Sequence, residues 1–344
     1  GRRPEPDRLA DQRPRGQREA PLISVFLLDA QGLHRRENGL GEAVPAEAVW
    51  IDLLEPTPEE EKKIEKFLGI EVPTREEMRE IETSNRLYEE DGALYMTATV
   101  VTKIDTAVPE TSQVTFILSA GRLITNRYVD PLPFRRYVAY AERHPQQCAT
   151  GAAVLAGLLE ATVNRIADVI ERVGGNLDSI STEVFTPPRR RSPARDFRDI
   201  LDRVGQNGDL VGKARETLAS LGRLLVFAQQ ATTASFSADV RGRLRTLSRD
   251  VTQMADHASF LGNKVNFILD ATLGMINIDQ NNILKIFSVV TVFLLPPSVI
   301  GALFGMNFQH IPMSAQPYGF WIAIGMMVLS AVLPWLEFKR RGWL

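Results

Sequence analysis

The chain has 344 residues, 24% of them charged, with 40 Lys and Arg against 42 Asp and Glu, a net charge of −2. That balance argues against nucleic acid as a partner. A single cysteine, Cys148, excludes an internal disulfide and any multi-cysteine metal site, and suits a buried structural thiol.

Residues 1–20 are rich in Arg and Pro with almost no apolar side chains, so they are expected to stay disordered. No apolar run lies near them, so a signal peptide is not expected and membrane insertion falls to the C-terminal helices. Residues 21–149 read as a compact α/β domain. Short strands are expected at 23–29, 49–54, 86–90, 93–104, 113–119 and 122–127, with turns at Asp91-Gly92 and Ala120-Gly121. Thr57-Pro58-Glu59-Glu60 is a capping box opening a helix to about Leu68. Thr74 and Glu77 repeat the signal for a second helix to about Glu82. Glu59, Glu60 and Glu61 read as a solvated helix start and not as a metal site. Residues 131–143 should be helical.

From about Thr150 the pattern is helical throughout. Residues 150–237 form a hairpin of two long helices, about 154–185 and 194–230, broken at Pro187-Pro188. No proline occurs between Pro193 and Pro296, so a third helix can run from about Asp239 to Leu303. At ~1.5 Å per residue that is roughly 95 Å, more than a bilayer, and part of it must form a stalk. Val240, Leu244, Leu247, Val251, Met254, Ala258, Leu261, Val265, Ile268, Thr272 and Met275 alternate spacings of four and three, as in coiled-coil-like packing.

From Ile286 to Leu336 there is no Asp, Glu, Lys or Arg. Two apolar runs of 19 residues, 286–304 and 318–336, flank a polar loop, each near the ~20 residues of a membrane-spanning helix. Lys285 precedes the first run, and Lys339, Arg340 and Arg341 follow the second. The positive-inside rule places both ends in the cytoplasm and the loop outside. The chain therefore divides into 238–307 (stalk and first span), 308–317 (outer loop), 318–338 (second span) and 339–344 (basic tail).

The first run carries a polar stripe. Steps of three and four from Asp270 give Gly274, Asn277, Asn281, Leu284, Ser288, Thr291, Leu295, Ser298 and Ala302. Hydroxyls and amides at membrane depth face a helix partner or water. Helix packing explains Ser and Thr alone; the Asn-rich extension to Asp270 favours a wet pore. Leu284 and Leu295 interrupt the stripe, either as apolar rings that gate by dewetting or as ordinary packing. No catalytic constellation is present. His34, His144, His257 and His310 are scattered, and only His310, in the outer loop, is a candidate ion contact.

Gly305-Met306-Asn307 closes this charge-free helix, and the chain ends in KRRGWL. With IDQNNILKIFSVVTVFLLPPSVI before it, and VPTREEMREIE and RLYEEDGALYMT upstream, the chain resembles the CorA family of divalent-metal channels, its bacterial magnesium branch in particular. The resemblance covers nearly everything after residue 20. It implies a homopentameric funnel in the bacterial inner membrane, an α+β protein whose cytosolic α/β domain leads by a stalk helix into the first of two spans. It implies passive, potential-driven influx of hydrated Mg2+, with cobalt or nickel also admitted. Mg2+ would be cargo and regulator, sensed by carboxylates between neighbouring soluble domains, with no organic cofactor and with the bilayer, the cation and its own copies as partners.

Asn307 would form the outer selectivity ring for the hydrated ion, though Asn also caps helix ends. Gly305 and Met306 would shape its turn. Pore positions implied by the same match are Asp270, Asn281, Leu284, Phe287, Thr291, Leu295, Ser298 and Ala302, with Leu284, Phe287 and Leu295 as gate. Phe287 and Ser288 compete for one step. Asp270 would give an acidic cytoplasmic ring that concentrates cations. Other readings are a zinc transporter of the same family and a membrane scaffold that conducts nothing. The outer loop departs from the family: FQHIPMSAQP has Gln309, and Met313 stands where relatives often carry a glutamate.

Overall fold

The computed structural model describes residues 23–29, 32–37, 44–45, 47–106, 108–186, 196–231, 236–306 and 317–341. Expectations for residues 1–20, Pro187-Pro188, Asn307, Gln309, His310, Met313 and the chain end after Arg341 lie outside the described residues. The chain forms two compact units, residues 1–268 and 269–344.

The first unit is built on a seven-stranded sheet: β1 (Ile23–Asp29), β2 (Gly32–Glu37), β3 (Ala48–Leu54), β4 (Leu87–Glu90), β5 (Ala93–Thr102), β6 (Glu110–Ser119) and β7 (Arg122–Arg127). The spatial order is β2-β1-β3-β7-β6-β5-β4. Among the described strands, only β3 and β7 pair in parallel. One face holds Val25, Ile51, Leu53, Ile117 and Ile124 against Ile64 of α1 (Pro58–Leu68). The other holds Phe26 stacked on Trp50, ring centroids 4.2 Å apart, beneath Phe134 and Tyr137 of α3 (Leu132–Ala141). Covered on both faces, β5 buries all ten residues and shows no alternation.

β2 was not expected from the sequence. Its His34, Arg35 and Arg36 are exposed, and such charge is how edge strands resist further pairing while hiding the β pattern. The Thr57 box forms as read, with Thr57 and Glu60 capping reciprocally. The second box also closes, Thr74 N–H donating to Glu77 Oε2 at 2.8 Å, but only a 3-10 turn over Glu77–Arg79 follows. Among those three residues Met78 alone is buried, too little apolar face to propagate a helix. A four-residue helix α2 (Thr83–Arg86) comes next. The solvated reading of the acidic run is corrected for two residues. Glu60 and Glu61 are buried, and Glu61 accepts from the Tyr128 hydroxyl at 2.7 Å. Burial raises the Glu61 pKa above the ordinary carboxylate value, against that hydrogen bond.

Three long helices follow: α4 (Gly151–Phe185), α5 (Phe197–Gln230) and α6 (Ala238–Phe304), the last 67 residues without a break. α4 begins three residues before the expected Val154, because Thr150 caps it. A Cβ at Gly151 would stand 2.3 Å from the backbone nitrogen of Leu123, so only glycine fits. α5 starts where Asp196 accepts from the backbone N–H of Arg198 and Asp199. The heptad seam of α6 is covered within the chain. Val251, Leu261 and Val265 lie against Gly222, Gly174 and Gly208 of α5 and α4. Arg243 grips Glu160 with two bonds of 2.9 and 2.7 Å.

The parallel β3–β7 junction is held by a buried polar chain. Trp50 Nε1 donates to Thr125 at 2.9 Å, and Thr125 donates to Asp52 at 2.6 Å. Arg127 reaches both Asp52 oxygens at 2.9 and 2.7 Å. Both charged side chains are 7% exposed. Burial opposes the charge on Arg127, yet Asp52 and Asp130 hold its pKa above the ordinary value. Removing one partner strands the other, so Asp52→Ala should cost about 3–5 kcal/mol, and Asp52→Ala with Arg127→Met should recover most of it. Thermal unfolding of the detergent-solubilised protein, compared across the parent and the two variants, checks this.

Candidate ion pathway on the long helix

The second unit contains residues 269–304 of α6 and the helix α7 (Gly319–Arg340). Both helices are long and apolar enough to cross a membrane. They pack through one side of α6. Val289, Phe293, Ile300, Gly301 and Phe304 are half-buried there, and Phe293 meets Phe338 edge-on at 6.1 Å. A Cβ at Gly301 would sit 3.1 Å from Met327 Cε, so glycine lets the helices approach.

At ~100° per residue, Leu284, Thr291, Leu295, Ser298 and Ala302 centre about 180° from that packed side. All five are exposed, as are Asp270, Asn277 and Asn281 below them. The stripe therefore lies within the side of α6 that α7 leaves uncovered, a side that also exposes Val290, Val292, Leu294, Val299 and Leu303. Phe287 and Ser288, both exposed, fall about 50° to either side of the stripe's centre. That is why counting alone could not choose between them. Gln280 was missed by the sequence count; it is exposed and lies nearer the centre than Asn281.

The hydroxyls on this side are committed in one direction. Ser288 donates to the Leu284 carbonyl at 2.8 Å, Thr291 to Phe287 at 2.8 Å and Ser298 to Leu294 at 2.6 Å. Each proton is spent inside the helix, in the same bond to the carbonyl four residues back that Thr162, Thr182, Thr252 and Ser259 make in the first unit. What each oxygen still offers outward is a lone pair. Water bound to a cation points its hydrogens away from the ion, so a row of acceptors suits a hydrated cation and discourages an anion.

Gly305 continues the helical bonding, its N–H donating to Gly301 at 3.0 Å. Met306 is exposed at the last described position before the loop, and Asn307, the residue they lead into, lies outside the described residues. Among the described residues no three His, Cys, Asp or Glu side chains gather as a metal site.

A family model described as CorA-like Mg2+ transporter protein matches residues 45–340. The magnesium transport protein CorA of Mannheimia succiniciproducens is 32% identical over 323 residues, 94% of this chain and 100% of that protein. The protein of the same name from Escherichia coli K12 is 32% identical over 324 residues, again 94% and 100%. Among solved structures, the complete CorA magnesium transporter of Methanocaldococcus jannaschii superposes with a TM-score of 0.74 at 18% identity, covering 94% of this chain and 99% of that one. The fold is shared, and the family is one of transporters and not of enzymes. The chain belongs to the CorA family of Mg2+ transporter proteins.

Proposed function

We propose that this protein is a homopentameric channel of the bacterial inner membrane that admits hydrated divalent cations, Mg2+ foremost, down the membrane potential. The observation that carries this reading is the exposed side of α6 opposite α7, where the described hydroxyl protons turn inward and acceptors turn out. Five such helices with α7 outside them would surround a wet axis. Both chain ends would lie in the cytoplasm.

Mg2+ gives up its waters reluctantly, so a path that passes the hydrated ion needs acceptors at the distance of a second shell and not a cage of carboxylates. Asn307 supplies such an acceptor at the outer end, following Gly305 and Met306. Ser298, Ala302 and Thr291 line the path below it. Leu295, Phe287 and Leu284 form apolar constrictions that empty of water when narrow. Asn281, Gln280 and Asn277 continue the acceptor surface toward Asp270, whose ring of charge raises the local cation concentration.

Asn307→Ala should lower Mg2+ flux into liposomes, or its preference over monovalent cations, by about tenfold or more while assembly stays intact, since hydrogen bonds around a charged group are worth ~1.5–3 kcal/mol. Unchanged flux and ion preference would remove Asn307 from selectivity. Leu295→Ser should leak under conditions where the parent is closed; a tight Leu295→Ser pore would remove the gate. Comparing flux of Mg2+, Zn2+ and Co2+ separates magnesium transport from zinc transport, and no metal flux at all would leave only a scaffold.

The outer loop offers a further check. Met313→Glu would place up to five carboxylates around the mouth, acting within the ~8 Å screening length of physiological salt. The variant should lower the half-saturating Mg2+ concentration, most clearly at low ionic strength. If concentration dependence at low salt does not move, loop charge does not control ion capture.

A further inference from the structure

A cavity of about 430 Å3 opens in the first unit between α3, α4 and the start of α6. Small-molecule sites run from about 300 to 1,000 Å3. It owes its form to Tyr137, whose ring lies so close to α4 that a Cβ at Gly157 would stand 2.3 Å from it. The Tyr137 hydroxyl is fixed at 3.3 Å from Cys148 Sγ. These contacts pin the inner wall.

Three guanidiniums and one carboxylate line the cavity. Glu160 is neutralised by Arg243, which takes both its oxygens. Arg165 gives one arm to Asp105 at 2.8 Å, and its buried Nε finds no acceptor. Arg136 has only a 3.9 Å pairing with Asp168, both side chains about 60% exposed, an attachment of little worth. Arg165 shares the Asp105 carboxylate with Arg172, at 2.8 and 2.7 Å, so Arg136 is the lining cation held most weakly. Beside them stands the flat ring of Tyr140, braced by His144 stacked at 4.2 Å. Its hydroxyl donates to Gln147 Oε1 at 2.6 Å, which turns the Gln147 amide group into a donor. Asn164 adds a second amide at the rim.

We propose that this cavity binds a small phosphomonoester carrying a planar ring, the chemistry of a mononucleotide. Arg136 takes the phosphate through its forked N–H groups, with the guanidinium of Arg165 behind it. The ring lies against Tyr140, and the amides of Asn164 and Gln147 read its edge. None of these residues belongs to the ion pathway, so the proposal does not depend on the transport reading. Because Arg243 of α6 forms one wall, the ligand would touch the same helix that carries the pathway farther along its sequence.

Isothermal titration of the full-length protein in detergent with AMP, at physiological salt and without Mg2+, tests it. One AMP per chain should bind saturably. Arg136→Glu should weaken that binding about tenfold or more, and Asn164→Trp, which fills the rim, should abolish it. Arg245→Glu, an exposed reversal two residues along α6 from Arg243, should leave it unchanged. Absence of saturable AMP binding overturns the proposal, as does equal weakening by Arg245→Glu, which would mean non-specific charge attraction. Ribose 5-phosphate binding as tightly as AMP would overturn the role of Tyr140 and the planar ring.

Discussion

A hydroxyl on a helix can give its proton to the carbonyl four residues back and keep its lone pairs turned outward. Ser288, Thr291 and Ser298 all make that choice. The constraint turns an apolar span into an asymmetric one: acceptors on one side, and Val289, Phe293, Ile300 and Phe304 on the other, where α7 packs. Had α7 covered the hydroxyls, they would be helix–helix contacts. Because it covers the opposite side, the polar stripe stays exposed on this chain.

The same helix meets a different demand in its first thirty residues. There the four-and-three spacing read as a coiled coil is satisfied by α4 and α5 of the same chain, where Val251, Leu261 and Val265 lie against Gly222, Gly174 and Gly208. Arg243–Glu160 and Lys264–Asp178 fasten the edges. Buried chain-internal packing along 240–268 and an exposed acceptor side from 270 on are thus written into one uninterrupted helix. The two stretches differ in which residues recur every three or four positions.

That recurrence explains what was legible in the sequence. The long helices, both candidate spans and the stripe were readable because periodicity survives in a single chain. The strands β5 and β7 were readable from apolar runs bounded by Asp91-Gly92 and Ala120-Gly121. β2 was not, since its pairing with β1 is a tertiary fact and its side chains are those of an exposed edge. The Thr74 box misled because a cap starts a helix but does not continue one. Glu60 and Glu61 misled because Tyr128, which draws Glu61 inward, is 67 positions away. The Arg127–Asp52 pair, 75 positions apart, left no local signal at all. Phe287 and Ser288 stay level even with α7 in place, because they flank the stripe's centre by equal angles.

The central claim is that the uncovered side of α6 faces water along the span. Single cysteines placed through 288–304 of the full-length protein, in a Cys148→Ala background and reconstituted in liposomes, can be probed with a small hydrophilic thiol reagent. The account predicts fast modification at Thr291, Ser298 and Ala302, with Val289, Phe293, Ile300 and Phe304 spared. Modification centred on the second set, or absent from the first, would contradict it.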